Sequence, residues 1–399
     1  MTKKIYLSLA HMSEAGLEKK FVEEAFDTDW VAPLGPNVDG FEEALKQYIG
    51  QGKEVVALSS GTAAVHLALV ACGVGPGDEV IVQSLTFCAS SHPVTYLGAK
   101  PVFVDSEPDT WNMDPELLEE AIRDRIAKTG KAPKAIIPVT LYGMPYKADR
   151  ILSVAQKYGI AVIEDSAEGL GSTYNGRQMG TFGKYGVLSF NGNKMITTSG
   201  GGALICPDRE EWSKVRKYAT QAREDCPYYQ HEMIGYNYRM SNVCAGIGRG
   251  QMTVLDEHIA HHRHVQTLYE ELLAGVPGIT VHTQPSGEGI ESNFWLATVV
   301  LDPALHIKGQ EKVYCGAVEE GCRPNDNVEA LRVLLDEAGI ESRPLWKPMH
   351  LQPVYKDAPA YLNGVSESLF RTGLCLPTGP RVSDENVKYI VETIKKHII

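Results

Sequence analysis

Short apolar runs alternate with helical stretches between about residues 55 and 206. The runs predict seven strands, at 55–58, 79–82, 101–105, 134–139, 160–165, 185–190 and 203–206. The stretches between them predict helices over 62–72, from Pro115 onward behind a capping Asp114, and over 150–158. This alternation is typical of an α/β fold with a mostly parallel central sheet and helices on both faces.

The pattern changes after Asn242. Residues 243–273 predict one long helix or two joined helices, and residues 383–397 predict a last helix. We expect this part to form a smaller α+β domain, and an amphipathic helix over 14–26 to pack against it. The predicted organisation is an N-terminal arm over 1–28, a large domain over 29–250 and a small C-terminal domain over 251–399.

Composition places the chain among ordinary globular proteins. Of 399 residues, 43% are hydrophobic and 22% charged, and the mean hydropathy is -0.17. The net charge of -12 disfavours nonspecific binding to nucleic acid or to anionic membranes, although a few local cations can still bind an anionic small molecule. No run of about 18 apolar residues predicts a membrane span, and no apolar signal core follows the first residues. We therefore expect a cytoplasmic protein.

Metal sites are disfavoured by spacing. The 8 cysteines form no C-x-x-C pair, so they predict buried small side chains or loop thiols. His258 and His262 have the i, i+4 spacing of a metal pair, but no H-E-x-x-H motif accompanies them, and a polar helix face is the favoured interpretation. Asp165 and Glu168 lack a third ligand among their neighbours, so no metal is expected there.

An acid and a lysine follow two of the predicted strands. Asp165 ends the apolar run of V-I-E-D-S-A-E, and Lys194 ends the segment S-F-N-G-N-K that begins at Ser189. Pyridoxal phosphate (PLP) chemistry requires this pair, because a lysine binds the cofactor covalently and an acid keeps its pyridine nitrogen protonated. The sequence therefore predicts Lys194 and Asp165 as catalytic residues.

Further candidates lie near the ends of other strands, where ligands of such sheets bind. Ser60, Gly61 and Thr62 begin a helix, and its free N–H groups suit a phosphate, but a simple helix cap fits equally well. Ser189 can donate its hydroxyl to the same phosphate. Phe87 can stack on a planar cofactor, or it can be a core side chain.

Several motifs occur together in a set order. They are S-S-G-T-A-A from Ser59, T-F at 86–87, E-D-S-A-E from Glu164, S-F-N-G-N-K from Ser189, the glycines at 200–202 and G-Y-N-Y-R-M-S from Gly235. Together they resemble the DegT/DnrJ/EryC1/StrS sugar aminotransferases, a branch of the fold-type I PLP enzymes, over essentially the whole chain. The resemblance implies a large PLP domain with a mostly parallel sheet and a smaller α+β C-terminal domain.

The resemblance also assigns the site. It implies that the cofactor is bound by Ser60, Gly61, Thr62, Phe87, Asp165, Glu168, Ser189, Lys194 and Asn237. Lys194 matches the cofactor-bound lysine, Asp165 the partner of the pyridine nitrogen, and Glu168 the residue near the ring hydroxyl. Asn237 matches a phosphate ligand that this family donates from the neighbouring subunit, which implies a homodimer with two shared sites.

One subgroup is favoured. N-G-N-K-M-I-T-T-S-G-G-G over 191–202 is similar to the C4 aminotransferases of UDP-N-acetylbacillosamine biosynthesis, whereas GDP-perosamine synthases usually have Gly-Glu-Gly-Gly where this chain has Ser199–Gly202. The implied substrates are UDP-2-acetamido-4-keto-2,6-dideoxyglucose and L-glutamate. The predicted substrate-binding residues are Asp29, Trp30, Val31, Ala32, Arg343, Pro344, Leu345, Trp346, Lys347 and His350.

Three alternatives were weighed against this assignment. A GDP- or dTDP-sugar aminotransferase is the nearest, and only the substrate distinguishes it. A sugar 3-dehydratase carries histidine in place of the lysine, so Lys194 argues against it. A PLP-binding regulator without turnover is disfavoured by the intact catalytic set.

Overall fold

A computed structural model describes residues 4–308 and 323–398 of the chain. The strands are β1 (Glu54–Leu58), β2 (Glu79–Gln83), β3 (Lys100–Val104), β4 (Ala135–Ile137), β5 (Ala161–Asp165), β6 (Thr173–Tyr174), β7 (Arg177–Gln178), β8 (Tyr185–Ser189), β9 (Gly202–Cys206), β10 (Ile279–Val281), β11 (Ile290–Glu291), β12 (Ala297–Leu301), β13 (Arg343–Pro344), β14 (Ala360–Tyr361) and β15 (Gly373–Leu376). The helices are α1 (Leu17–Asp27), α2 (Pro36–Ile49), α3 (Gly61–Ala71), α4 (His92–Tyr96), α5 (Pro115–Thr129), α6 (Ala148–Tyr158), α7 (Arg209–Ala219), α8 (Asn242–Met252), α9 (Leu255–Leu273), α10 (Asp326–Glu337), α11 (Val365–Thr372) and α12 (Asp384–His397).

The large sheet has the order β1-β9-β8-β5-β4-β2-β3-β14. Strand β9 runs antiparallel to both of its neighbours, and the other adjacent pairs are parallel. The predicted mostly parallel sheet is therefore confirmed, with all seven predicted strands in it. The eighth strand, β14, was not predicted, because a two-residue segment paired to β3 leaves no periodic pattern.

Helix α3 shows how the sequence builds the site end of this sheet. Ser60 caps the helix, since its hydroxyl accepts a hydrogen bond from the backbone nitrogen of Ala63 at 3.0 Å. The helix is apolar on almost every side and is buried against the sheet. A Cβ atom on Gly202 would clash with the backbone of Ser60 and Gly61, so only glycine lets β9 lie this close to the helix start.

The C-terminal part is built on a four-stranded antiparallel sheet, ordered β10-β12-β15-β13. Its apolar core joins this sheet to α9, α10 and α12, through side chains such as Tyr269, Leu331 and Ile390. The predicted stretch over 243–273 is two joined helices, α8 and α9. The smaller α+β unit is thus present as expected, and helix α12 begins with a capping box at Ser383.

The N-terminal arm contacts two regions. Its first residues join the C-terminal part, where Ile5 pairs with Ile340. Helix α1, however, packs against α8: Gln251 Nε2 donates to Glu18 Oε1 at 2.6 Å, and a side chain on Gly250 would clash with Glu18. The small residues of α8 let α1 approach closely. Because the predicted boundary between the large and small domains falls inside α8, the packing of this helix on the small domain stays a proposal. The boundaries 1–28, 29–250 and 251–399 remain a proposal.

The described ranges have neither a membrane-spanning helix nor a metal-ligand cluster. Among residues 4–308 and 323–398, no helix is long and apolar enough to cross a membrane. The same ranges contain no cluster of three or more histidine, cysteine or acidic side chains that could hold a metal ion. Cys206 and Cys375 are buried free thiols, while Cys315 and Cys322 lie outside the described residues.

Candidate active site

A cavity of about 1090 Å³ opens at the carboxyl ends of the parallel strands. Asp165 ends β5, Ser189 ends β8, and Gly61 follows β1, so the strand ends bring these residues to one edge of the sheet. All the predicted cofactor-binding residues except Asn237 line this cavity, and so do the predicted substrate residues from Arg343 to Lys347.

Lys194 is held inside the cavity by an acid and an aromatic ring. Its Nζ donates to Glu168 Oε1 at 3.0 Å and lies 4.1 Å from the centre of the Trp295 ring. The side chains of Lys194 and Glu168 are only 12% and 3% exposed. Burial raises the pKa of Glu168, and the neighbouring Lys194 opposes that rise. Tyr142 donates its backbone N–H to the other carboxylate oxygen at 2.7 Å.

Asp165 is buried and accepts a hydrogen bond from the first of two linked hydroxyl groups. Ser90 Oγ donates to Asp165 Oδ2 at 2.6 Å, and Thr86 Oγ1 lies 2.7 Å from Ser90 Oγ. The backbone N–H of Ala167 donates to the other oxygen at 3.2 Å. Burial raises the pKa of Asp165, while the Ser90 hydrogen bond and the charge of Lys194 lower it. The carboxylate is thus desolvated but supported by donors.

An anion cradle lies at the start of α3. The hydroxyl of Ser60 serves as the helix cap, but the first N–H groups of a helix lack partners within it, and those of Gly61 and Thr62 belong to this set. A Cβ atom on Gly61 would lie 3.1 Å from the Cβ of Ser189, so a side chain there would crowd the cradle. This arrangement fits a phosphate group.

Aromatic side chains also line the cavity, among them Phe87, Trp295 and Trp346. Phe87 is 55% exposed and lies 5.5 Å from Trp346, measured between ring centres, so the alternative of a core phenylalanine is wrong. Trp295 and Tyr142 lie next to Trp346, with ring centres 6.4 Å and 5.3 Å from it. No motif in the sequence links Trp295, Tyr142 or Ser90 to Lys194 or Asp165, so these three residues were not predicted.

Other predicted residues lie away from the cavity in this chain. His350 is behind the wall, where its Nδ1 lies 2.6 Å from Ser84 Oγ. Residues 29–32 sit beside α8, where Asn242 donates to the carbonyl oxygen of Trp30 at 2.9 Å. Asn237 is exposed and pairs with Thr220. These residues do not line the cavity of their own chain. Their predicted roles therefore remain proposals that require a second subunit.

Comparison with known proteins gives a consistent result. The model of the DegT/DnrJ/EryC1/StrS aminotransferase family matches residues 13–395. EpsN of Bacillus subtilis, described as a pyridoxal phosphate-dependent aminotransferase, is 45% identical over 99% of this chain and 96% of its own length. GDP-perosamine synthase of Caulobacter vibrioides is 36% identical over 98% of each chain. The PLP form of Spr1654, a sugar aminotransferase of Streptococcus pneumoniae, superposes with a TM-score of 0.84 at 27% identity, over 98% of each chain. The activities given for EpsN and Spr1654 are themselves inferred ones.

The fold and the site define a PLP-dependent aminotransferase of fold type I. The buried Asp165, the reachable amine of Lys194 and the cradle at Gly61 each fit one part of the cofactor. The chain belongs to the DegT/DnrJ/EryC1/StrS aminotransferase family. It is thus an enzyme of nucleotide-sugar transamination that depends on pyridoxal phosphate.

Proposed function

We propose that the enzyme transfers the amino group of L-glutamate to C4 of UDP-2-acetamido-4-keto-2,6-dideoxyglucose. The product is a UDP-linked 4-amino sugar of the kind used in bacillosamine-type glycan biosynthesis. The observation that carries the proposal is the placement of Lys194 in one cavity with the wall from Arg343 to Lys347. The reacting amine and a wall for a long, charged substrate therefore share one space. A cytoplasmic location stays a prediction from the sequence.

Lys194 can act as the base of this reaction. When bound, pyridoxal phosphate supplies an electron sink and carries the amino group between the two substrates. The Nζ atom of Lys194 has Glu168 within hydrogen-bonding distance, so the carboxylate orients the amine inside the cavity. Lys194 then moves a proton to and from the carbon that loses or gains nitrogen, while Asp165 stays charged through its donors Ser90 and Ala167.

The far end of the cavity suits an anionic group. Arg343 lies there with Glu341 at 3.1 Å and is 70% exposed. Lys347 lines the same wall, and within the described ranges it has no carboxylate within ion-pair distance. We propose that Lys347, aided by Arg343, binds the diphosphate of the sugar nucleotide. The volume of about 1090 Å³ is large enough for such a substrate.

A second subunit is proposed to complete each site. Around Asn237 the chain exposes large apolar side chains: Tyr228 is 64% exposed, Tyr229 79% and Ile234 78%. A cluster of this kind on a monomer surface favours burial by another chain. We propose that this segment reaches the neighbouring protomer, so that Asn237 binds the phosphate there and residues 29–32 and His350 approach the substrate.

Two observations favour different nucleobases. Ser199–Gly202 favours the UDP-sugar subgroup, whereas the 36% identity to a GDP-perosamine synthase supports a GDP-sugar as the second candidate. The test is kcat/KM for UDP-, GDP- and dTDP-linked 4-keto sugars with L-glutamate. We expect the UDP-sugar to have the highest value, and a preference for the GDP-sugar would replace our assignment with the second candidate.

The regulator alternative needs a different measurement. Glutamate alone should convert the bound cofactor to its pyridoxamine form, which absorbs at shorter wavelength. A protein that binds the cofactor but does not make this conversion would be a non-catalytic binder.

A further inference from the structure

Two histidines of helix α9 lie directly behind the active-site lysine. His258 and His262 are 4% and 0% exposed, so the predicted polar helix face is wrong for this pair. His258 Nδ1 donates to the carbonyl oxygen of Met195 at 3.1 Å, and His262 Nδ1 donates to that of Phe294 at 3.2 Å. His258 thus holds the backbone just after Lys194. His262 holds the backbone just before Trp295, whose ring lies next to the Lys194 amine.

The lysine segment is held from the other side by Trp295. Its indole Nε1 donates to the carbonyl oxygen of Asn193 at 2.7 Å. Asn193 and Met195 are the two residues that flank Lys194. The carbonyl before the lysine is held by Trp295 and also by Ser8 Oγ at 3.0 Å, and the carbonyl after it is held by His258. The face of the same indole lies 4.1 Å from Lys194 Nζ. Trp295 therefore contacts both the backbone beside Lys194 and the Lys194 amine.

We propose that His258 and Trp295 are positioning residues that fix the backbone on both sides of Lys194, and that His262 fixes Trp295. Lysine has four rotatable bonds, and fixing its Cα leaves only the side chain to move between the two substrates. Asn191 and Asn193 are exposed, so packing restrains this loop little, and donors from other segments add to the hydrogen bonds within it. The role in catalysis rests on the proposed base function of Lys194, but the effect on the backbone does not.

The test compares two substitutions of His258 that differ in one donor. Leucine fills the space without a polar atom, whereas the Nδ2 group of asparagine takes the place of the Nδ1 donor. His264→Leu on the same helix is the matched control, because His264 is 51% exposed and pairs with Asp384 at the surface. Trp295→Phe removes the opposite donor while it keeps an aromatic ring.

Two readouts separate backbone position from turnover. Hydrogen exchange of the apoenzyme over 191–199 should rise in His258→Leu and Trp295→Phe, and should return toward the wild-type rate in His258→Asn. The rate at which added pyridoxal phosphate becomes covalently trapped at Lys194, measured by borohydride reduction and mass spectrometry, should fall by about 3-fold to 10-fold in the two disrupted variants. His264→Leu should change neither quantity.

Four results would overturn the proposal. Wild-type exchange and trapping rates in folded His258→Leu would show that the donor does not position the segment. Equal damage in His258→Asn and His258→Leu would show that shape, rather than the hydrogen bond, is what matters. If His258→Leu does not fold, the test rests on Trp295→Phe and His258→Asn. Wild-type exchange and trapping rates in Trp295→Phe would then contradict the proposal. Altered exchange with normal trapping would leave the base role of Lys194 standing and remove the positioning role.

Discussion

The Nζ atom of Lys194 lies 3.0 Å from Oε1 of Glu168, and both side chains are almost removed from solvent. The pair joins the loop after β8 to the loop after β5, and therefore connects the two motifs that point most strongly to the cofactor. Burial raises the pKa of Glu168, and the charge of Lys194 opposes that rise.

The substitution Lys194→Ala should abolish turnover and the absorbance band of the lysine-bound cofactor. The methyl group can neither form the covalent bond nor move a proton. The measurement is the visible spectrum of the purified variant with added pyridoxal phosphate, together with an aminotransfer assay. Lys157→Ala is the control, because Lys157 is an exposed partner of Glu119. Full transaminase activity in the variant would refute the role of Lys194.

The same substitution should destabilise the apoenzyme by leaving Glu168 as an unpaired buried carboxylate. Loss of one partner from a buried ion pair costs on the order of 3 kcal/mol. Lys194→Ala combined with Glu168→Gln should recover most of that stability in urea unfolding at pH 8. Because the pKa of Glu168 is raised in the folded state, the stability of the single variant should improve as pH falls. No recovery in the double variant would mean that the pair is not energetically coupled.

Removal of the hydroxyl in Ser90→Ala should shift the acid limb of the pH–activity profile to higher pH. The Ser90 hydrogen bond lowers the pKa of Asp165 against the rise caused by burial, so its loss lets the carboxyl hold its proton to higher pH. Thr86→Val removes only the outer hydroxyl and should cause a smaller shift in the same direction. A profile that does not move in Ser90→Ala would exclude the serine from control of Asp165.

The shared-site model can be tested by mixing subunits. Asn237→Ala should weaken retention of pyridoxal phosphate during dialysis, and unchanged retention would count against the model. When inactive Lys194→Ala is mixed with Asn237→Ala at limiting cofactor, hybrid dimers should contain one intact site each. Random pairing makes about one quarter of all sites intact. Activity that never exceeds the sum of the two separate variants would place Asn237 outside the neighbouring site.

His282 offers a prediction about stability that is remote from catalysis. Its ring stacks on Trp111 with centres 3.6 Å apart, and burial lowers the pKa of His282 to about 3. Since the unfolded histidine takes up a proton near pH 6.5 and the folded one does not, folding stability should fall between pH 6.5 and 3, by up to about 1.4 kcal/mol per pH unit. His282→Phe keeps an aromatic ring stacked on Trp111. It should reduce the difference between the urea unfolding midpoints measured at pH 7.5 and at pH 5. The same difference between the two midpoints in the wild type and in His282→Phe would contradict a buried, neutral His282.

Seven of the eight strands of the large sheet could be predicted because the sheet buries both faces of β2, β4 and β5, which leaves continuous apolar runs in the sequence. The two-residue strand β14 could not, since it joins the sheet only through its place beside β3. Helix α1 was predicted as a helix, but its partner α8 lies more than two hundred residues along the chain, and no local pattern encodes that contact.

The same distinction holds in the site. Lys194 and Asp165 were found because each belongs to a local motif. Ser90 reaches Asp165 across 75 positions, and Trp295 reaches Asn193 across 102. These partners are brought together only by the fold, so a single sequence carries no sign of them.

The most direct test of the account follows nitrogen from donor to product. The enzyme is incubated with ¹⁵N-labelled L-glutamate and UDP-2-acetamido-4-keto-2,6-dideoxyglucose, and the sugar nucleotide is examined by ¹⁵N-edited NMR. We predict a product that carries ¹⁵N on C4 and that does not form with Lys194→Ala. An unlabelled sugar, or a label on a different carbon, would contradict the proposed reaction.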